Sequence, residues 1–273
     1  MGEPAGRASR GEHQTVLVTG ASAGIGEALA RCFARDGCAL VLVARDGRRL
    51  KALATALRTE HGVEVRVQPA DLTDPHAASR IAAALARARI EVDVLVNNAG
   101  VLHQGRFDTM PPGHLQQMIG LNVAGLTAML AHFVPPMVVR GRGRVLNVAS
   151  VAAFQPVPGL ATYAATKAYV LSLTESLAEE LAGTGVTVTA LCPGITATGM
   201  LTAATQANER LTQLPSFLVG DVDDVARQGH DACLRGEVVR VPGVLNLAGT
   251  LASRAAPRWL VRRVAGAFGR RTL

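Results

Sequence analysis

The sequence predicts a single doubly wound α/β domain, with a central parallel sheet of six or seven strands and helices on both faces. Three observations predict it. Short apolar, β-branched runs alternate along the chain with longer helical patterns. The first run is followed at once by a glycine-rich turn, and several others end in small or polar residues, as strands do when a ligand lies along the carboxyl edge of a parallel sheet. Finally, 273 residues with 49% hydrophobic and 18% charged content suit one large domain, and 3% aromatics leave Ala, Leu and Val to fill its core.

Residues 15–19 (TVLVT) read as the first strand, and Gly20, Ser22, Ala23, Gly24, Ile25 and Gly26 as the turn into a helix that reaches about residue 36. Glycines let the backbone approach a diphosphate, while a helix N-terminus presents free N–H groups and the positive end of its dipole. Residues 38–44 are a continuous apolar run, the pattern of a strand buried on both faces. Arg45 stands at its tip, about 20 residues beyond the glycines, where a dinucleotide-binding fold meets the adenosine ribose. An acid there would bond a 2′-hydroxyl, whereas an arginine pairs with a 2′-phosphate. Arg45 therefore favours NADP(H), with NAD(H) possible; an exposed turn arginine is the competing reading. Asp46 suits the N-cap of the next helix.

Residues 63–67 alternate as a third strand, and Asp71, Leu72 and the Asp74-Pro75 pair form a turn before a helix over 77–89. Residues 92–98 are a fourth strand running into Asn98, Ala99 and Gly100. No charged residue occurs from 109 to 139, and 114–134 reads as an apolar helix that Pro135-Pro136 should end. Asn122, Thr127 and His132 interrupt it, so a buried helix is expected there rather than a membrane span. Residues 144–149 and 186–191 are further strands around a helix over 162–182. After Pro193, Gly194, Thr196 and Thr198, the loop 194–215 is uncharged apart from Glu209 and Arg210 and reads as a lid or substrate loop. A helix from about 221 to 235 and a short strand at 238–241 close the pattern.

The stretch 150–167 carries the chemistry. Tyr163 and Lys167 lie four apart on one helix face. A phenol of ordinary pKa, near ~10, needs a shift of about 3 units to move protons at neutral pH, and a cation one turn away pushes in that direction. Ser150, delivered by the preceding loop, is positioned to hold a substrate oxygen beside the phenol. The chain has only two lysines against 26 arginines, so a lysine at this position points to a need for an ammonium.

Together these motifs resemble the short-chain dehydrogenase/reductase family over residues 15–241. Thr19 to Gly26 is similar to its TGxxxGxG turn, Asn97-Asn98-Ala99-Gly100 to its NNAG strand end, and Tyr163 with Lys167 to its YxxxK pair, with Ser150 thirteen residues before the tyrosine. The resemblance implies a Rossmann-type fold and an NADP(H)-dependent, bacterial-type oxidoreductase acting on a small carbonyl or secondary alcohol substrate. It implies Tyr163 as general acid/base, Lys167 bonding the nicotinamide ribose and lowering the phenol pKa, Ser150 holding the carbonyl, and Asn122 anchoring a water relay through its backbone carbonyl. The implied cofactor contacts are Gly20, Ser22, Ala23, Gly24, Ile25, Gly26, Arg45, Asp71, Leu72, Asn98, Ala99, Gly100, Tyr163, Lys167, Pro193, Gly194, Thr196 and Thr198. One departure matters: many NADP-dependent members carry a basic residue where this chain has Ala23, so the preference rests on Arg45. The rival reading is a catalytically idle NADP-binding scaffold or sensor. A homodimer or homotetramer is expected.

The net charge of +7 is unevenly placed. Residues 237–273 hold seven arginines and one acid, leaving the body near neutral, which argues against a nucleic-acid binder. Four cysteines show no ligand spacing, so they are expected reduced, in a cytoplasmic compartment, with no metal. Residues 1–14 read as a loose polar tail rather than a signal peptide, 15–250 as the dehydrogenase/reductase domain and 251–273 as a basic amphipathic tail. In that tail Leu260, Val264 and Phe268 recur at i, i+4, i+8. Two readings follow: packing on the domain or a second subunit, or weak contact with the inner face of a membrane.

Overall fold

The computed structural model describes residues 14–196 and 219–272. Thr198, most of the 194–215 loop and the tail before residue 14 lie outside them. Seven strands form one sheet: β1 (Thr15–Thr19), β2 (Ala39–Ala44), β3 (Val65–Pro69), β4 (Val94–Asn97), β5 (Gly143–Val148), β6 (Val186–Leu191) and β7 (Val239–Arg240). Their order is β3-β2-β1-β4-β5-β6-β7, and every pairing is parallel. The chain leaves β1 toward β2 and β3, then returns to place β4 on the other side of β1. The strand ends therefore part between β1 and β4, the switch point at which open α/β sheets take their ligands.

Strand pleating sorts the core into two layers. Val16, Val18, Leu40 and Leu42 point to the face covered by α1 (Gly24–Arg35), α2 (Gly47–His61) and a helix we number α7 (Val222–Arg235), meeting Leu29, Phe33, Leu50, Leu57 and Val225. Leu17, Val41, Val43 and Leu95 point the other way, onto α3 (Ala77–Arg87), α5 (Leu126–Val139) and α6 (Ala161–Glu180), where Ile81, Leu85, Met129, Phe133, Val170 and Leu171 receive them. Each fully buried side chain of this size stabilises by roughly 1.5–3 kcal/mol. Asp46 caps α2 as expected, accepting from the Arg48 and Arg49 N–H groups at 3.0 and 3.1 Å.

The apolar stretch after β4 departs from the sequence reading twice. It is not one regular helix: α4 (Pro112–Ile119) passes into a π-helical turn (Gly120–Gly125) and then α5. The wide turn seats Gly125 against Leu72, where a Cβ would lie 2.6 Å from the Leu72 carbonyl oxygen. Nor do Pro135 and Pro136 end the helix, which runs to Val139. A proline pair costs about 3 kcal/mol or more in a helix interior, and burial of Phe133, Val134 and Met137 around it offsets that cost. Among the described residues, Pro112–Val139 alone is long and apolar enough to cross a membrane, at mean hydropathy 1.5. Met118, Met129 and Met137 are fully buried within it, so it serves as a core helix.

Beyond β7 come α8 (Val244–Ala255) and α9 (Arg258–Thr272). The sequence reading anticipated the second and not the first, and α8 crosses residue 251, where the tail was expected to begin.

Candidate active site

The glycine turn sits at the switch point. Gly20 and Gly24 adopt φ of 65° and 59°, the left-handed region that only glycine enters at little cost. A Cβ on Gly26 would collide with the Gly20 carbonyl and the Asn98 side chain. The turn is locked to β4 across the sheet. Asn98 Nδ2 donates to the Thr19 and Gly20 carbonyls at 3.0 and 3.2 Å, while the Asn98 and Ala99 N–H groups donate to Thr19 Oγ1 at 3.0 and 3.1 Å. Thr19, only 1% exposed, was read from the sequence as part of the glycine motif but given no role, although a hydroxyl at a buried strand end before a glycine is a usable signal.

At the neighbouring strand tip Arg45 is exposed and makes no ion pair among the described residues. Asp71 Oδ1 accepts from Thr73 N and Oγ1 at 2.9 and 2.8 Å, which fixes the turn after β3. Leu72 is buried behind it, against the π turn. A turn whose glycines leave room for a close-approaching group, a free helix N-terminus and an unpaired cation beside them fit a dinucleotide carrying a 2′-phosphate.

Ser150, Tyr163 and Lys167 meet at the ends of β4 and β5. Ser150 caps a 3₁₀ turn (Val151–Phe154), its Oγ accepting from Ala152 N at 3.1 Å, and its side chain stands beside Tyr163. Tyr163 and Lys167 are 8% and 5% exposed. Lys167 Nζ donates to the Val148 carbonyl at 2.8 Å and stands 5.8 Å from the Tyr163 ring centroid.

Enclosure dominates the electrostatics. Burial raises the Tyr163 pKa, and the Ser150 side chain beside it works against that rise. Lys167 is itself pushed down to about 8 by desolvation. A cation one turn away does not by itself make the phenol acidic, because enclosure penalises the charged forms of both groups.

Asn122 sits in the π turn and is 1% exposed. Its Oδ1 accepts from Val101 N at 2.8 Å, and its Nδ2 donates to Val101 O and Thr166 Oγ1 at 2.9 and 3.1 Å. Thr166 in turn donates to the Tyr163 carbonyl at 2.8 Å. Asn122 thereby ties the segment after Gly100 to the second turn of α6. A Cβ on Gly100 would fall 3.3 Å from Asn122 Oδ1 and 3.5 Å from Lys167 Nζ, so all three converge on one corner.

A second polar chain supports this corner and escaped the sequence reading. Asn97 and Asn147 are register partners on β4 and β5; Asn97 Nδ2 donates to Asn147 Oδ1 at 3.0 Å, and Asn147 Nδ2 to Thr174 Oγ1 on α6 at 2.9 Å. Two asparagines at the ends of adjacent strands were its available signal. On the far side, Val151 N donates to the Pro193 carbonyl at 3.0 Å, and Thr196 Oγ1 to the Gly194 carbonyl at 3.1 Å.

Comparison with known proteins agrees with this geometry. The short chain dehydrogenase family model matches residues 14–209. A serine 3-dehydrogenase of Rhizobium radiobacter is 34% identical over 220 residues, 79% of this chain and 86% of that protein. A short-chain dehydrogenase from Sphingobium yanoikuyae, solved in complex with NADPH, superposes with a TM-score of 0.77 at 37% identity, covering 89% of this chain and 96% of its own. A short chain dehydrogenase/reductase from Burkholderia phymatum, solved in complex with NAD, gives a TM-score of 0.80 at 27% identity, covering 90% and 93%.

Proposed function

The chain belongs to the short-chain dehydrogenase/reductase family, and from that premise we propose that it is an NADP(H)-dependent oxidoreductase that interconverts a small carbonyl compound and its secondary alcohol. One observation carries the reading: the buried Tyr163 has Ser150 beside it and the Lys167 ammonium 5.8 Å from its ring centroid, one helical turn on. In the relatives compared above, one solved structure holds NADPH and another NAD. Arg45, exposed at the tip of β2 and in no ion pair among the described residues, favours the 2′-phosphate and hence NADP(H), with NAD(H) as the weaker ligand.

In this reading Gly20, Ser22, Ala23, Gly24, Ile25 and Gly26 hold the diphosphate with backbone N–H groups. Arg45, Asp71 and Leu72 flank the adenosine, and Asn98, Ala99, Gly100, Pro193, Gly194 and Thr196 line the nicotinamide end. When bound, the dinucleotide supplies or accepts the hydride. The chain's own side chains do the rest. Ser150 donates a hydrogen bond to the substrate oxygen, polarising the carbonyl. Tyr163 gives its proton to that oxygen during reduction and takes one back during oxidation. Lys167 holds positive charge beside the transient phenolate, and Asn122 supports proton resupply through its backbone carbonyl.

Wild-type protein and Tyr163→Phe are assayed for NADPH consumption against ketones, aldehydes and acyl thioesters. Turnover by the wild type alone supports the enzyme. NADPH binding with no turnover of any substrate would leave the catalytically idle scaffold as the reading.

The proposal extends to assembly and compartment. An open apolar depression of about 380 Å³ lies between Phe107, Ile119, Val123, Ala161, Thr162, Ala165 and Thr166, and shares no residue with the Ser150, Tyr163, Lys167 set. Phe107 is 67% exposed at its rim, a surface suited to a second copy; light scattering reads the resulting dimer or tetramer. All four cysteines are buried and outside any disulfide, and a reducing cytoplasm is the compartment we propose for them.

A further inference from the structure

Helix α8 is inside out. A helix lying on a domain normally turns its apolar residues inward and its polar ones to water. In α8 Thr250 is the buried residue, at 7% exposure, and Asn246 packs inward, donating from Nδ2 to the Pro242 carbonyl at 2.8 Å and abutting Gly194. Val244 at 83%, Leu251 at 58%, Leu245 and Leu247 face outward instead. On α9, Trp259 is 56% exposed and Leu260 is also exposed, beside exposed Arg258, Arg262 and Arg263, which form no ion pair among the described residues. From residue 238 to the end the sequence contains seven arginines and no acid.

We propose that α8 and α9 together form a docking face for an anionic lipid surface, with the outward leucines and Trp259 entering the headgroup boundary and the arginines pairing with lipid phosphates. The charge selects this occupant. A second copy seated two-fold on the same face would bring one cationic segment against another. An anionic bilayer offers both the apolar layer and the opposite charge. Because α8 packs against the 3₁₀ turn that follows Ser150, docking sets the catalytic loop on the membrane side of the molecule.

Trp259 is the only tryptophan in the chain, so its fluorescence reports on this face directly. Titrating the full-length protein with phosphatidylglycerol vesicles should shift its emission to the blue and co-sediment the protein, with little of either for phosphatidylcholine vesicles. Raising salt from about 0.1 M to about 1 M shortens the Debye length from about 10 Å to about 3 Å and should release most of the bound protein. Leu247→Glu with Leu251→Glu, and separately Arg258→Gln with Arg262→Gln and Arg263→Gln, should each lower vesicle binding at least tenfold while the thermal midpoint holds. An unshifted Trp259 emission with anionic vesicles overturns the proposal. So does vesicle binding that survives either set of substitutions. An oligomer that dissociates on Leu247→Glu with Leu251→Glu, in a protein that never binds vesicles, overturns it in favour of a subunit interface.

Discussion

Lys167 Nζ donates a hydrogen bond to the carbonyl of Val148 at 2.8 Å. This contact joins the end of β5 to the second turn of α6, two residues before Ser150, and it holds the ammonium inside the protein. Lys167 is therefore a buried, satisfied donor as well as a charge beside the phenol.

That burial has a pH signature. The folded pKa of Lys167, about 8, lies below its ordinary value of 10.5. Between those values the unfolded chain binds the proton more tightly, so this residue makes stability rise with pH across the window. Below about 8 both states are protonated and the full penalty, about 3 kcal/mol, is present. Lys167→Met should abolish turnover and remove this slope. Thermal melts from pH 7 to 10.5 should show the mutant's stability gaining on the wild type at the acid end and the difference narrowing as pH rises.

Tyr163→Phe removes the proton and retains the ring. NADPH affinity should stay within a few-fold of wild type, and turnover should fall by at least about 10²-fold, the usual range for loss of a general acid. Steady-state kinetics beside fluorescence titration of NADPH separates the two effects. A mutant keeping most of its rate would refute the assigned role.

Arg45→Asp reverses the charge where the second strand ends. The ratio of kcat/KM for NADPH over NADH should fall by about 10- to 100-fold, as expected when one charge-assisted contact is lost. An unchanged ratio would place the selectivity elsewhere, with the neighbouring exposed Arg48 the first residue to test.

Asn98→Ala leaves the Thr19 and Gly20 carbonyls without their shared donor at the centre of the sheet. Stability in urea should drop by about 2 kcal/mol with an unchanged m value, the cost of orphaning buried polar groups. Dinucleotide affinity should fall with it, since the same amide fixes the glycine turn.

The regular part of the fold was legible because its signals are local. A fully buried strand reads as a continuous apolar run, a glycine turn needs positive φ, and Asp46 announces the start of α2 by its side chain alone. The π turn around Asn122 was not legible from periodicity; only the family resemblance, which puts a helix-kinking asparagine there, pointed to it. The turn brings Gly125 against Leu72, more than fifty residues earlier in the chain, a contact that spacing does not announce. The helix running through Pro135 and Pro136 is likewise decided by the sheet beneath it. The inversion of α8 depends on which face meets Gly194, and spacing alone does not reveal that.

By itself the sequence determined the order of the strands and of the helices between them, the cofactor turn, and Ser150, Tyr163 and Lys167 as candidates, while Asn122 joined that set only through the family resemblance. The first three follow from periodicity and from residue types with narrow chemical uses. The tertiary structure decided the state of that set: Tyr163 pushed up by enclosure, Lys167 pushed down and tied to Val148, Asn122 locked between Val101 and Thr166. Desolvation and long-range hydrogen bonds depend on what surrounds a side chain in space, and neighbours along the chain do not specify that.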